Sequence, residues 1–88
     1  GNVHLSVEAA GSGVAEQLMA LPGVSAIVPL GEQEGRTRVR LTASATTDLR
    51  PEIFRIASRS GWTLYELHQE AGSLEDLFRE LTGRGEAA

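Results

Sequence analysis

Residues 24–43 read VSAIVPLGEQEGRTRVRLTA and predict a β-hairpin. The first strand, 24–30, is rich in β-branched and small residues, and the second, 36–43, places arginines on one face and mainly apolar residues on the other. The polar stretch 31–35 between them is typical of a hairpin connection. Because Pro29 has no backbone N–H to donate, we expect the first strand to lie at an edge of its sheet or to end near this residue.

A strand and a helix flank the hairpin on each side. Before it, apolar and polar residues alternate over 3–8, and a helix is predicted over 14–21, ended by Pro22-Gly23. After it, a helix beginning near Asp48 precedes a fourth strand over 62–68. The inward face of this last strand is ambiguous, because both of its alternating sets contain apolar residues.

This order of elements predicts an α+β fold, a ferredoxin-like βαββαβ sandwich. Right-handed crossovers place both helices on one face of a four-stranded antiparallel sheet with strand order 4-1-3-2. Residues 1–84 are expected to form a single domain, and 85–88 a frayed tail.

A further amphipathic segment, 73–83, reads SLEDLFRELTG and predicts an added C-terminal helix. Ser73 and Asp76 form a capping-box pattern, and Gly83 suits a left-handed helix end. A helix this short is marginal alone, so we expect its apolar stripe to dock on the open sheet face, a sheet edge or another domain. The stripe, which is the predicted interface, consists of Leu74, Leu77, Phe78 and Leu81.

Composition excludes several kinds of chemistry. The 88 residues contain no cysteine, so disulfides, thiolate catalysis and zinc–thiolate sites are excluded. All eight basic residues are arginine, which excludes a Schiff-base or phosphate-loop lysine. The net charge of −4 opposes non-specific binding to nucleic acid or anionic lipid. No apolar run approaches the ~20 residues that a membrane span needs.

Two motifs are compatible with a ligand site, a metal site for one and a phosphate site for the other, but we favour a structural interpretation of both. His4 and His68 fall on strands predicted to be neighbours, and Glu66 or Glu70 offers a third metal ligand, but no spacing fixes that ligand. The segment 11–13, Gly-Ser-Gly, resembles a phosphate cradle but lacks the lysine and the spaced glycines of known ones. Ordinary strand histidines and a flexible turn are the favoured interpretations.

The arginine stripe of the hairpin is the remaining candidate site. Arg36, Arg38 and Arg40 share one strand face and would suit an acidic partner or a phosphate. The favoured interpretation is that Glu32 and Glu34, across the hairpin, balance them in solvent. No exposed aromatic residue is predicted on the first or third strand, which argues against RNA binding. Trp62 and Tyr65 are expected to be packing residues, and no enzyme active site is predicted.

Three segments together resemble a known family. They are 18–24 (LMALPGV), 61–67 (GWTLYEL) and 73–83 (SLEDLFRELTG). They resemble the C-terminal accessory domain, of unknown function, that follows the ATPase domain in many bacterial ABC transporter ATP-binding proteins of the ABC-2 export type. The closing segment is the most specific match, and the middle strands match only in pattern. The family usually has proline before the serine, where this chain has Gly72.

The resemblance implies a non-catalytic regulatory or interaction domain without a cofactor. ATP hydrolysis would belong to a preceding domain, and this chain alone would neither bind nor hydrolyse ATP. The implied partners are the ATPase domain of the same chain, a possible second copy and, indirectly, the membrane permease. The implied location is cytoplasmic, associated with the membrane through the transporter and without direct insertion.

A second class of function stays open at this point. The same strand and helix order occurs in ACT-like regulatory domains, which sense small molecules at dimer edges, and only the analogy of fold supports this alternative. An acylphosphatase-like activity is not expected, because it needs an asparagine beside a phosphate-binding arginine and Asn2 is the only asparagine.

Overall fold

A computed structural model of the chain describes residues 1–46 and 48–70. Its elements, in chain order, are strand β1 (Asn2–Ala10), helix α1 (Val14–Met19), strands β2 (Val24–Gln33) and β3 (Arg36–Ser44), helix α2 (Arg50–Ser60) and strand β4 (Thr63–Gln69). The predicted helix over 73–83 lies outside the described residues, as do its stripe residues Leu74, Leu77, Phe78 and Leu81 and the predicted tail 85–88.

The four strands form one open antiparallel sheet in the order β2-β3-β1-β4. Each strand has the same neighbours as in the order 4-1-3-2, which is this order read from the opposite edge of the sheet. Both helices cover the same face, so the described part has an α+β architecture of one sheet and one helix layer. Pro29 lies on the edge strand β2, as its missing N–H requires. Neither helix of the described part is long and apolar enough to cross a membrane.

The core lies between the sheet and the two helices. Alternate residues of β1 and β3 point into it because side chains of a strand alternate between faces. The helices contribute the residues at one face, spaced three and four apart. The buried set is Leu5, Val7, Ala9, Val14, Leu18, Leu21, Val39, Leu41, Ala43, Leu49, Ile53, Ile56, Ala57 and Trp62.

The hairpin is longer than the sequence pattern predicts. Strand β2 continues to Gln33, where a connection was expected, because Glu32 and Gln33 pair with Thr37 and Arg36 of β3. Such backbone pairing needs no apolar side chain. The turn is therefore only two residues, Glu34 and Gly35, with φ of 52° and 77°. Positive φ at both central residues is the geometry of a type I′ turn, which matches the twist of the strands.

Both helices are shorter than predicted. Helix α1 ends at Met19, and the N–H of Leu21 donates to the carbonyl of Leu18 at 3.2 Å, which tightens the last turn before Pro22. Helix α2 begins at Arg50, two residues after Asp48. The Asp48 carboxylate accepts a hydrogen bond from the backbone N–H of Arg50 at 3.0 Å. Asp48 therefore lies in the turn that leads into the helix.

A β-bulge resolves the ambiguous register of β4. Leu67 lies opposite Val7 and Leu64 opposite Ala9, and the register shifts between these pairs. Tyr65 is the extra residue of the bulge. The bulge lets Leu64 and Leu67, three positions apart, both pack against the core. This explains why both alternating sets of residues in this strand contain apolar side chains.

Candidate interaction surface

We call the face of the sheet opposite the helices the open face. It is formed by the strand residues that alternate with the buried ones. On the three strands that pair through β1, these residues are His4, Ser6 and Glu8 of β1, Arg36, Arg38, Arg40 and Thr42 of β3, and Glu66 and His68 of β4. Among the described residues, no helix lies on this face.

Arg40 of β3 reaches across β1 towards the end of β4. It lies opposite Ser6 in the β1–β3 register, and its Nη2 donates to Oε2 of Glu70 at 2.9 Å. The small serine leaves room for the guanidinium to pass over the strand. Both side chains are partly exposed, so this ion pair stabilises the fold by at most ~1 kcal/mol.

Arg36 crosses β1 in the same way at the other end of the sheet. It lies opposite Ala10, and its Cζ is 3.8 Å from the centroid of the Tyr65 ring on β4. Its Nη1 is also 3.6 Å from Oε2 of Glu8. A guanidinium over an aromatic face at a partly exposed site contributes ~0.5–1 kcal/mol. The two outer arginines of the stripe therefore connect β3 to groups beyond the intervening strand.

Arg38 lies between these two arginines and is exposed. It is opposite Glu8 in the β1–β3 register. Together with Arg36, Glu8 and Leu30 it lines a shallow depression of about 290 Å³ on the open face. The depression has a basic, an acidic and an apolar wall, which suits a mixed partner surface better than a single small anion.

The partners of the arginines differ from the predicted ones. Glu8 and Glu70 form the ion pairs of Arg36 and Arg40, whereas Glu32 accepts a hydrogen bond from Thr37 at 3.3 Å. Glu8 belongs to β1, far from the hairpin in sequence, and its position follows only from the strand order. The pairing with Glu32 and Glu34 was therefore the wrong account of this stripe.

Tyr65 does not pack in the core, which differs from its predicted role as a packing residue. It is 49% exposed because it is the extra residue of the bulge and lies beside Arg36. Two aliphatic side chains of the edge strand are also about half exposed, Val28 at 53% and Leu30 at 49%. Arginine, tyrosine and exposed aliphatic residues together are typical of protein contact surfaces.

The two histidines lie on the open face without a metal-binding arrangement. His68 is opposite Ser6, and His4 lies two residues before Ser6 on β1, where its carbonyl accepts the N–H of Glu70. His4 Nδ1 is 3.1 Å from Oγ1 of Thr42, which orients the ring along the neighbouring strand. Within residues 1–46 and 48–70, no cluster of three or more histidine, aspartate or glutamate side chains could hold a metal ion.

The Gly11-Ser12-Gly13 segment has a packing role. The indole Nε1 of Trp62 donates to the carbonyl of Ser12 at 3.0 Å. A Cβ at Gly11 would stand 2.2 Å from Cδ1 of Trp62, so only glycine lets the chain pass the buried indole. Trp62 is thus the packing residue that the sequence predicts, and it explains why this segment contains glycine.

A second groove lies beside this segment, between α1 and β2. It has a volume of about 440 Å³, and its lining includes Gly11, Val14, Pro29 and the carboxylate residues Glu16 and Glu32. Two carboxylates oppose a phosphate, in agreement with the preference for a turn over a phosphate cradle at this position.

Comparison with known proteins adds no relative: neither a family model, nor a curated protein, nor a solved structure matches the chain.

Proposed function

We propose that this chain is a non-catalytic accessory domain that binds other protein, as the C-terminal domain of an ABC-2-type ABC transporter ATP-binding subunit. Its partner would be the ATPase domain of the same subunit or a second subunit, with the membrane permease contacted indirectly. The domain would act in the cytoplasm and associate with the membrane only through the transporter.

The open face is the observation that carries this proposal. It presents three arginines, Arg36, Arg38 and Arg40, and two glutamates, Glu8 and Glu66. A third glutamate, Glu70, pairs with Arg40 just beyond the end of β4. A surface with equal numbers of both charges gives no strong field to attract nucleic acid or a lipid headgroup. It does provide charge complementarity for a folded protein with its own mixed surface. The nearby exposed Tyr65, Val28 and Leu30 add apolar area to that contact.

The finer description of the fold belongs to the same proposal. The α+β sheet with one helix layer is compatible with a ferredoxin-like βαββαβ sandwich, followed by the predicted helix over 73–83. In this proposal Leu74, Leu77, Phe78 and Leu81 form a second contact with the ATPase domain or with a second subunit. The resemblance of segment 73–83 to the family supports this assignment.

The test is the ATPase activity of the subunit that carries this domain. Arg38→Glu reverses a charge at the centre of the open face without breaking the ion pairs of Arg36 or Arg40. We expect it to change the coupling of ATP hydrolysis to the transporter. Because it places a glutamate opposite Glu8, we also expect it to lower the stability of the isolated domain, by no more than ~1 kcal/mol.

Arg59→Glu is the matched control. It makes the same charge change on the exposed surface of α2, on the opposite side of the molecule. Equal ATPase activity and coupling for wild type and both variants would contradict a contact through the open face. A catalytic domain other than an ABC ATPase upstream of Gly1 in the source gene would contradict the family assignment itself.

The groove between α1 and β2 favours one alternative function, an ACT-like small-molecule sensor. Its volume of about 440 Å³ falls in the range of ligand pockets. Glu16 and Glu32 in its lining would favour a ligand with an ammonium group. Free amino acids are suitable probes: a sensor would gain thermal stability with ligand concentration, and Glu16→Gln would reduce that gain. An unchanged melting temperature with every amino acid would remove this alternative.

A further inference from the structure

The two edges of the sheet are not equally protected against pairing with another strand. On β2, Pro29 removes a donor, and register shifts at Val24/Ala26 and Pro29/Gly31 bend the edge. On β4, the segment 66–69 after the bulge contains no proline and no lysine, and within the described residues its outer side has no partner strand. The edge at β4 is therefore the one able to accept another strand.

The backbone of β4 shows which groups face that edge. The N–H of Glu70 donates to the carbonyl of His4 at 2.9 Å, so the main-chain groups of Glu70 point towards β1. In an antiparallel ladder this direction alternates from residue to residue. The N–H and C=O groups of Leu67 and Gln69 therefore point away from the sheet, towards solvent or an incoming strand.

A second β4 strand can pair with this edge in a register centred on Leu67. With Leu67 opposite Leu67 across a two-fold axis, each leucine N–H would donate to the carbonyl of the other copy. The same register places Glu66 of one copy opposite His68 of the other, twice, on the open face. A register centred on Glu66 would instead put two glutamates opposite each other and use no outward main-chain group at the axis.

The charges on β4 favour the same register. Within one copy, Glu66 lies opposite Glu8, a pair of like charges across the β1–β4 ladder. An imidazole N–H from outside would give the Glu66 carboxylate a hydrogen-bond donor. Leu67 packs against the core side of the sheet, so its counterpart would extend that apolar layer.

We propose that this chain forms a two-fold symmetric homodimer by antiparallel pairing of β4 with β4, centred on Leu67, with reciprocal Glu66–His68 pairs. The inference rests on the proposed function for the expectation of a protein partner, and it names that partner as a second copy. The paired strands would make a continuous eight-stranded sheet, with the two described helices of each copy on one side. Helix α2 packs on β4, so the α2 helices of the two copies become neighbours.

In this arrangement Phe54 is an exposed apolar side chain on the helix that borders the second copy. It lies on α2 and is 62% exposed, the most exposed of the large apolar residues described. Ser60 of the same helix donates to Gln17 of α1. Phe54 is about 120° from Ser60 around the helix axis and so does not face α1.

The test is the oligomeric state of the purified chain, measured by sedimentation equilibrium with three charge variants. Glu66→Lys places lysine opposite His68, and His68→Glu places glutamate opposite Glu66. Each is expected to raise the dimer dissociation constant about tenfold or more. In Glu66→Lys both symmetric pairs lose the carboxylate that accepts the hydrogen bond, and in His68→Glu both pairs become repulsive. The double variant, E66K with H68E, restores opposite charges and is expected to dimerise again.

Glu32→Lys on the β2 edge is the matched control and is expected to leave the dimer unchanged. A wild-type chain that stays monomeric at millimolar concentration overturns the proposal, as does a dimer that the single variants leave intact or that the double variant fails to restore. These results are separate from the Arg38→Glu test: a monomer that still couples ATP hydrolysis through its open face would reject the β4 dimer and retain the proposed function.

Discussion

Arg40 and Glu70 form an ion pair of 2.9 Å that bridges the β1 strand from β3 to the end of β4. The pair joins residues on two strands that share no backbone hydrogen bonds, because β1 lies between them. The stability of β4 therefore depends on β3 as well as on its direct neighbour.

This bridge predicts a measurable coupling between two substitutions. Arg40→Ala and Glu70→Ala should each lower the free energy of unfolding, and the double variant should lose less than the sum, with a coupling free energy of ~0.5–1 kcal/mol. Urea denaturation of the four proteins measures it. Raising the salt concentration should reduce the coupling, since both side chains are partly exposed. Additive losses at low salt would show that the pair contributes nothing.

Gly11→Ala should destabilise the domain by ~1–3 kcal/mol, because the new methyl group would meet Cδ1 of Trp62 at 2.2 Å and force the buried indole to move. Fluorescence of the only tryptophan measures both the unfolding midpoint and any change in the environment of the ring. Gly1→Ala is the control, because a Cβ there meets no atom within 4 Å. Equal midpoints for the two variants would disprove the close approach.

Glu34→Asn should stabilise the hairpin. Glu34 has a φ of 52°, which costs free energy for a glutamate, whereas asparagine tolerates this conformation and Asn-Gly is the preferred type I′ sequence. We expect a gain of ~0.5–1 kcal/mol in the free energy of unfolding. Glu32→Asn, two residues before Glu34 and in extended strand backbone, is a control that should give no such gain. Destabilisation by Glu34→Asn would contradict the turn type.

The Asp48 carboxyl group should have an abnormally low pKa. The side chain and backbone of Arg50 both donate to its carboxylate and lower its pKa from 3.8 to about 2. Because the folded-state pKa is depressed, the interaction stabilises the fold above pH 3.8 and is lost as the pH falls through about 2. Carbon-13 NMR titration of the carboxyl group measures this pKa. Arg50→Ala should return it towards 3.8, and an unchanged low value would point to a different cause.

The sequence patterns predicted the order of the six described elements and the two faces of β1 and β3, because alternation is a local property of the chain. They did not predict the bulge in β4. A bulge depends on which partner residues face the strand, and Leu64 and Leu67 become equivalent only when paired with Ala9 and Val7. The stretch 31–33 likewise joined β2 only because β3 offered it backbone partners.

The candidate surface was predictable only in part. Alternation alone placed the three arginines on one face, but their partners Glu8 and Glu70 come from distant segments. The contact between Arg36 and Tyr65 needs both the bulge and the small Ala10 between them, and neither follows from spacing along the chain. The four leucine and phenylalanine positions assigned to the segment 73–83 stay a prediction.

The hydrogen bond from Trp62 to Ser12 joins residues separated by 50 positions. Such a contact forms late, because the intervening loop must close at an entropic cost before the contact contributes. The intrinsic fluorescence of this protein should therefore follow the arrival of β4 rather than the formation of the β2–β3 hairpin. A stopped-flow refolding trace read at the indole would time the last step of assembly, and amide-exchange labelling of 36–43 would time an earlier one.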